Sequence, residues 1–475
     1  MPSRNTSFAL IVPILCAAPA ISRAAAAIPT ASPKPRPALP EEPEKLEPAV
    51  RESAARIDAR ELDLALKRGV AILLEKQEDY DVRADPNAQR RKRDGGEAPA
   101  PKKPAEAPRE WPYEGVYRVQ RSIEGAGNVS EIPIGYRVGG TSIAASALIE
   151  AQDGKLSKES KAAVERALDF VLEGLGHELM TKDFEQGYDV RGWGHAYALD
   201  FLLALRGRAL VPDGAKRKVD EAIRGLVAML HDTEIETGGW NYSRPAGSRK
   251  ANVKNPRRAK TASGEPGEIL LSPPSTFMTA PTLQVLFEAA RQGEKVDAAL
   301  VERGLKSLED ARLDTGAFQY GTAPARKNGE GFEDVPGAIG RMTVCETTLL
   351  LAGRGSVERV KKSIDDFFTH WEWLEKRRKQ TGTHIPPYMI APYYFFYAHR
   401  YVAQGIEFLP EAERAEYRAK LYALLWKVRE ESGGWNDRVF PRSESFGTAM
   451  TLLALREPSA QRPAAWNAGG KKHAR

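Results

Sequence analysis

A Gly-Gly-Trp turn that leads into a helix of small residues is written more than once in this chain. It occurs as Gly238-Gly239-Trp240 and again as Gly433-Gly434-Trp435, the latter followed by Ser445-Phe446-Gly447-Thr448-Ala449-Met450-Thr451-Leu452-Leu453-Ala454-Leu455. Degenerate copies stand at Gly187 to Trp193 and at Thr315-Gly316-Ala317-Phe318-Gln319-Tyr320. Self-similarity of this kind marks a repeat protein, in which each unit buries its apolar face only against its neighbours. Glycine supplies backbone angles that other residues avoid, and the tryptophan is left to pack between hairpins. Small residues on the following helix let such helices approach closely.

Periodicity places an outer helix before each turn. Leu62, Leu66, Val70, Leu73 and Leu74 recur at three- and four-residue spacing, as do Val164, Leu168, Val171 and Leu175 behind a Ser157 cap. Val219, Ile223, Leu226 and Leu230 follow, then Val301, Leu305 and Leu308, then Ile364, Phe367 and Trp371 behind Ser356, then Tyr417 to Val428. Inner helices are expected at Thr141–Ile149, His195–Leu205, about Thr276 to Ala290, about Ile339 to Leu351, along Pro392–His399, and after Trp435. Pro281 should kink the third or delay its start. Six hairpins of this kind can close. The expected fold is all-α, an (α/α)6 toroid over residues 58–456, with long inserts at about 81–110 and 244–272 taken as disordered and a flexible tail at 457–475.

The N-terminus has the pattern of an export signal over residues 1–26: Arg4, an apolar run from Phe8 to Ala18, then small residues. Residues 27–57 read as a Pro/Ala/Glu-rich linker. Leu15, bulky before Cys16, argues against a lipid anchor there, and no other segment is apolar and long enough for a transmembrane helix. Cleavage would leave Cys345 alone, so no intrachain disulfide is expected. The net charge of +6 is uneven. Basic clusters such as Arg90-Arg91-Lys92-Arg93 and Arg257-Arg258 lie in Pro/Gly-rich company without interleaved aromatics, which argues against nucleic acid as the partner.

The repeats resemble those of the squalene-cyclase and protein-prenyltransferase superfamily. The carriers are Arg68-Gly69 with Leu73-Leu74 and Gln77, Arg303-Gly304-Leu305 running to Gly316 and Phe318, and the two Gly-Gly-Trp turns. The resemblance implies the toroid, but the catalytic motifs do not carry over. The Asp-x-Asp-Asp proton donor of the cyclases is absent, and Asp365-Asp366 falls on an outer helix. The Asp-x-Cys zinc pair of the prenyltransferases is absent too, as is the Gly-Cys-Gly-Glu-Gln thioester sequence. No metal and no cofactor are expected.

Trp193, Trp240 and Trp435 are read as fold staples. What remains for function is polar and aromatic residues near the ring. Asp200 and Glu346 interrupt inner-helix sequences, and burial would raise either carboxyl toward a general acid; Arg137, Arg191 and Arg341 are candidate partners that would make them structural instead. The residues expected to crowd one mouth of the ring as a ligand surface are Trp111, Tyr113, Tyr117, Tyr136, Arg137, His195, Trp240, Tyr320, Arg341 and Tyr388. Such a rim suits apolar or sugar-ring ligands. The leading expectation is an exported binding toroid without catalysis. The alternatives are a cyclase-like or glycan-active enzyme, and a surface adhesin working through its basic loops.

Overall fold

Outer and inner helices alternate along the chain six times. The computed structural model describes residues 57–467, apart from 86, 89–107, 124–126, 183–189, 236, 243–257, 261–265, 270–273, 322–330 and 332. The expected export signal, most of the linker and most of both inserts lie outside the described residues. The outer helices are α1 (Ala59–Glu75), α3 (Lys158–Leu175), α5 (Lys216–Asp232), α7 (Ala298–Ala311), α9 (Val357–Glu375) and α11 (Glu411–Lys427). The inner helices are α2 (Ile134–Ala151), α4 (Arg191–Gly207), α6 (Thr276–Arg291), α8 (Val335–Leu351), α10 (Tyr394–Ile406) and α12 (Glu444–Arg456). Two short antiparallel hairpins, β1 (Val119–Ile123) with β2 (Gly127–Glu131) and β3 (Arg258–Lys260) with β4 (Pro266–Ile269), are inserted between them. Among the described residues no helix is long and apolar enough to cross a membrane.

The two sets differ as their sequences require. Outer helices are amphipathic and bury one face only. Asp58, Ser157, Asp297 and Ser356 cap α1, α3, α7 and α9 by accepting from backbone N–H groups of the first turn. Inner helices are buried nearly all round: in α8 every residue from Pro336 to Leu349 is buried. Each inner helix packs on the next, α2 on α4, α4 on α6, and so on to α12, which packs back on α2. The ring is therefore closed, an (α/α)6 toroid.

The closing junction repeats an internal one. On α7, Gly304 lies against Leu283 of α6, and Arg303 covers the turn at Gly238. On α1, Gly69 lies against Leu452 of α12, and Arg68 covers the turn at Gly433 and donates from Nε to Ser432 O at 2.8 Å. The Arg-Gly pairs at 68–69 and 303–304 thus join a hairpin to the turn of its predecessor, and for α1 the predecessor is the last hairpin.

The turns share one backbone pattern. Ile235, Leu313 and Glu430 each donate to the carbonyl four residues on, at 2.8 to 2.9 Å, and accept from the N–H three residues on at 2.8 to 2.9 Å. That third residue is Gly238, Gly316 or Gly433, at φ +93, +88 and +87, a region in which a Cβ is strained. The indoles that follow are anchored alike. Trp240 Nε1 donates to Leu230 O and Trp435 Nε1 to Leu425 O, each at 2.8 Å, while their backbone N–H groups donate to Thr279 and Thr448 hydroxyls on the inner helix.

Trp111 has the same anchorage: Nε1 to Leu73 O at 2.6 Å and N–H to the Thr141 hydroxyl at 2.9 Å. It is a staple of the first hairpin, although its loop lacks the Gly-Gly signature and the sequence suggests a rim residue. Trp193, expected as a staple, instead lies in the first turn of α4 and points into the ring. The expected tail also packs: Trp466 stacks on Phe287 at 5.4 Å, and its N–H donates to Leu351 O at 2.9 Å.

Candidate functional site

N-terminal ends of the inner helices converge on one mouth of the ring, and the side chains there are aromatic. Tyr136 (α2), Trp193 (α4), Phe277 (α6), Tyr397 (α10) and Phe446 (α12), with Tyr113, Tyr117, Tyr242 and Tyr393 from the loops, enclose a well with a cavity of ≈ 30 Å³. Tyr113 meets Tyr136 edge-on at 5.2 Å and Phe446 at 4.3 Å, and Trp193 meets Tyr136 at 5.6 Å. Across the well, Phe277 packs on Tyr394 at 4.4 Å and Tyr397 at 4.9 Å. That volume holds about two water molecules. A larger ligand enters by displacing side chains at the mouth, where Tyr117 and Tyr320 are half-buried.

A charged pair lies against two rings of this well, Tyr113 and Tyr393. Asp437 and Arg438 lie two and three residues after the last staple, Trp435, and are 0% and 1% exposed. Arg438 Nε donates to the Tyr113 hydroxyl at 2.9 Å, and that hydroxyl donates to Asp437 Oδ2 at 3.2 Å. The Arg438 guanidinium also lies over the rings of Tyr113 and Tyr393. Its Nη1 and Nη2, and Asp437 Oδ1, are buried and find no acceptor or donor among the described residues. Burial pushes the Asp437 carboxyl up to about 7, against the downward pull of Arg438 and of the Tyr113 hydrogen bond. Burial also drives the Tyr113 hydroxyl well above its ordinary value.

His384 lies nearby, edge-on to Tyr320 at 5.2 Å, with Nδ1 2.8 Å from Met389 O. Desolvation holds its pKa below the usual histidine value. Tyr320 and Tyr393 share a hydroxyl–hydroxyl hydrogen bond of 2.8 Å.

Of the residues the sequence put at the rim, the structure brings Tyr113, Tyr117 and Tyr136 together in the well and places Tyr320 beside it. Arg341 is buried behind it, donating to Phe318 O and Gly337 O with its guanidinium over Phe277 and Tyr320. The others lie elsewhere. Trp111 and Trp240 are staples. Arg137 is bound by Glu110 at 2.6 and 2.8 Å between Tyr80 and Phe170. His195 is buried against Met180 O at 2.9 Å, and burial lowers its pKa to about 4. Tyr388 packs on Trp373 at 4.8 Å. Sequence reasoning took Trp193 for a staple and passed over Phe277, Phe446 and the Asp437-Arg438 pair.

Asp200 and Glu346 do not share a cavity. Glu346 is buried and takes a hydrogen bond from Arg312 Nε at 2.5 Å, not from Arg137, Arg191 or Arg341. Asp200 faces a second chamber of ≈ 200 Å³ at the opposite end of the ring. Among the described residues no group of three or more His, Cys, Asp or Glu could hold a metal ion. Cys345 and His399 are apart in role: the thiol lies near Thr276 O, and His399 Nε2 accepts from Trp371 Nε1 at 2.9 Å.

No protein-family model and no curated protein sequence matches this chain. Solved structures do. The chain is similar to cellobiose 2-epimerase from Spirochaeta thermophila, at 13% identity over 88% of this chain and 99% of that one, with a TM-score of 0.48. It is similar to an inactive variant of an alpha-1,6-mannanase of Salegentibacter sp. in complex with alpha-1,6-mannotriose, at 9% identity over 83% and 98%, TM-score 0.44. A type II terpene cyclase from Scytonema in complex with geranylgeranyl dihydroxybenzoate aligns at 12% identity over 86% and 98%, TM-score 0.42. The ring assigned to this chain rests on its own helix packing.

Proposed function

We propose that this protein is an exported toroid of the squalene-cyclase and prenyltransferase repeat kind whose aromatic well binds a ligand with an apolar or sugar-ring body and an anionic group. One observation carries the reading: Arg438, 1% exposed, offers two terminal nitrogens that no described residue accepts from, beside a well lined by nine aromatic side chains. A buried guanidinium left without acceptors is costly. An anion at the well would accept from Nη1 and Nη2 while the rings pack its body. The partial positive charge of the inner-helix N-termini acts in the same sense. Export rests on the leader pattern at residues 1–26, and superfamily membership on the turns and their shared indole anchorage.

The test is tryptophan fluorescence, since Trp193 lines the well. Farnesyl diphosphate should be compared with farnesol, and glucuronate with glucose. The charged member of at least one pair should give saturable quenching, weakened roughly 10- to 100-fold in Arg438→Met. Equal response to charged and neutral members, or none to any, refutes the reading.

A second reading, an enzyme, is favoured by Asp437. A carboxyl held near neutrality and hydrogen-bonded to Tyr113 suits general acid catalysis. Turnover of a bound probe that vanishes in Asp437→Asn while binding persists would establish it.

A further inference from the structure

The second chamber lies at the opposite end of the ring from the aromatic well. Tyr197 and Tyr401 line it, and Trp193 and Tyr397 line the well. Trp193 packs on Tyr197 at 5.1 Å and Tyr397 on Tyr401 at 4.7 Å, so these paired rings stand between the two cavities. The chamber walls come from α2, α4, α6, α10 and α12. The chain beyond α12 closes one side. Residues Ala460–Ala464 line the chamber, Arg456 Nε donates to Glu150 O at 3.0 Å, and Trp466 stacks on Phe287.

Charge in this wall is balanced. Glu150, Asp200, Glu288 and Glu457 stand with Arg208, Arg291, Arg400 and Arg462. Glu150 accepts from Arg208 at 2.6 and 2.7 Å, Glu288 from Arg291 at 2.7 Å, and Glu457 pairs with Arg400. Asp200 and Arg462, both exposed, are the fourth of each sign. Gln284, Gln292, Gln404 and Gln461 add uncharged donors and acceptors. Gln404 is 4% exposed, and its Oε1 has no donor among the described residues. Between these polar groups the lining is apolar, with Leu203, Val285, Met450 and Leu453 beside the two tyrosine rings.

We propose that this chamber binds a neutral polyhydroxylated ring, a monosaccharide, independently of what occupies the well. A hydroxyl is donor and acceptor at once, so a ring of them can answer carboxylates, guanidinium groups and amides alike. A ligand with net charge of either sign would enter a wall that holds no charge to offset it, and its desolvation would go uncompensated. A purely apolar ligand would strand the polar part of the wall. The C–H faces of a saturated ring suit the tyrosines and the aliphatic side chains. One ligand hydroxyl supplies the donor that Gln404 Oε1 lacks. The volume of ≈ 200 Å³ suits a single ring rather than an oligomer.

Saturation-transfer difference NMR of the full chain, titrated with D-glucose, D-mannose and D-galactose, tests this. At least one should bind saturably, and at least tenfold more tightly than its 2-amino counterpart in the ammonium form. Gln404→Leu should weaken that sugar roughly 3- to 10-fold. Ala204→Trp, which puts an indole into the chamber from a half-buried wall position, should abolish binding. Arg462→Gln, an exposed change that leaves the wall one negative charge in excess, should move the preference toward the amino sugar by roughly 2- to 5-fold. The proposal is overturned if none of the three sugars binds, or if an amino sugar binds the unaltered protein as tightly as its neutral parent. It is also overturned if Ala204→Trp leaves the affinity undiminished, or if Arg462→Gln leaves the preference unmoved. Should Gln404→Leu fail to fold, the other two variants decide. Binding at the aromatic well is read separately through Trp193 fluorescence, so failure there has no bearing on this outcome.

Discussion

The Tyr397 hydroxyl donates to Phe277 O at 2.9 Å, and Phe277 O is the carbonyl that Pro281 cannot serve. Pro281 lies inside α6 and has no N–H to return to the residue four back. A side chain from α10 replaces the missing helical bond, so the helix keeps its register at the wall of the aromatic well. Removing the hydroxyl in Tyr397→Phe should cost about 1–2 kcal/mol in urea denaturation, because a buried carbonyl loses its donor. In a Pro281→Ala background, where the backbone N–H is restored, the same change should cost close to nothing. Equal costs in the two backgrounds would refute the compensation.

Staples make a second prediction. The backbone N–H of each anchor indole is served by a threonine hydroxyl of the inner helix. Thr448→Val and Thr141→Val keep the shape and remove the acceptor, and each should lose about 1–3 kcal/mol by leaving that buried N–H unpaired. Trp111→Ala should be as damaging as Trp435→Ala, about 3–5 kcal/mol. A much milder loss at Trp111 would exclude it from the set.

Close approach at the well gives a third. A Cβ on Gly139 would stand 2.4 Å from the Trp193 indole. Gly139→Ala should therefore displace the ring, costing about 1–3 kcal/mol and changing the near-ultraviolet circular dichroism of Trp193. Gly225, which has nothing within 4 Å of such a Cβ, is the control. Being in helix α5, Gly225→Ala should stabilise by roughly 0.5–1 kcal/mol.

Asp437 sets a pH dependence. Its carboxyl is raised from 3.8 to about 7 in the folded chain, so folding favours the protonated form. Its contribution is most favourable below about pH 4, falls as pH rises from about 4 to about 7, and is constant above that. The full span corresponds to roughly 4 kcal/mol. Asp437→Asn, which retains an acceptor for Tyr113, should flatten that part of the stability curve and be the more stable protein at pH 8. Parallel curves for the two proteins would show that Asp437 does not titrate there.

The architecture was legible because helical period, turn glycines and inner-helix composition all reported the same hairpin. Where one signal was missing, the reading slipped. Trp111 follows a loop without Gly-Gly, so its role as a staple could be recognised only through the Leu73 and Thr141 bonds. Trp193 follows a glycine-bearing loop, yet it already belongs to the helix and so points to the axis. Arg312 reaches Glu346 from the end of an outer helix, a pairing that depends on how hairpins stack and not on spacing. The Asp437-Arg438 pair carried one usable sign. Two ionisable residues lie two and three positions after a staple, where the equivalent third-hairpin positions hold Tyr242 and Ser243.

Gly69 against Leu452 makes the earliest helix of the fold depend on the latest. A chain still being synthesised can stack hairpins one on another, but α1 lacks one of its neighbours until α12 exists. Translation halted after Trp435 would therefore release a product with both extremities unsatisfied, and cutting off either extremity should be equally ruinous. By the same logic, new termini opened in the 244–257 segment, with the old ones joined, should be tolerated far better than loss of either edge helix.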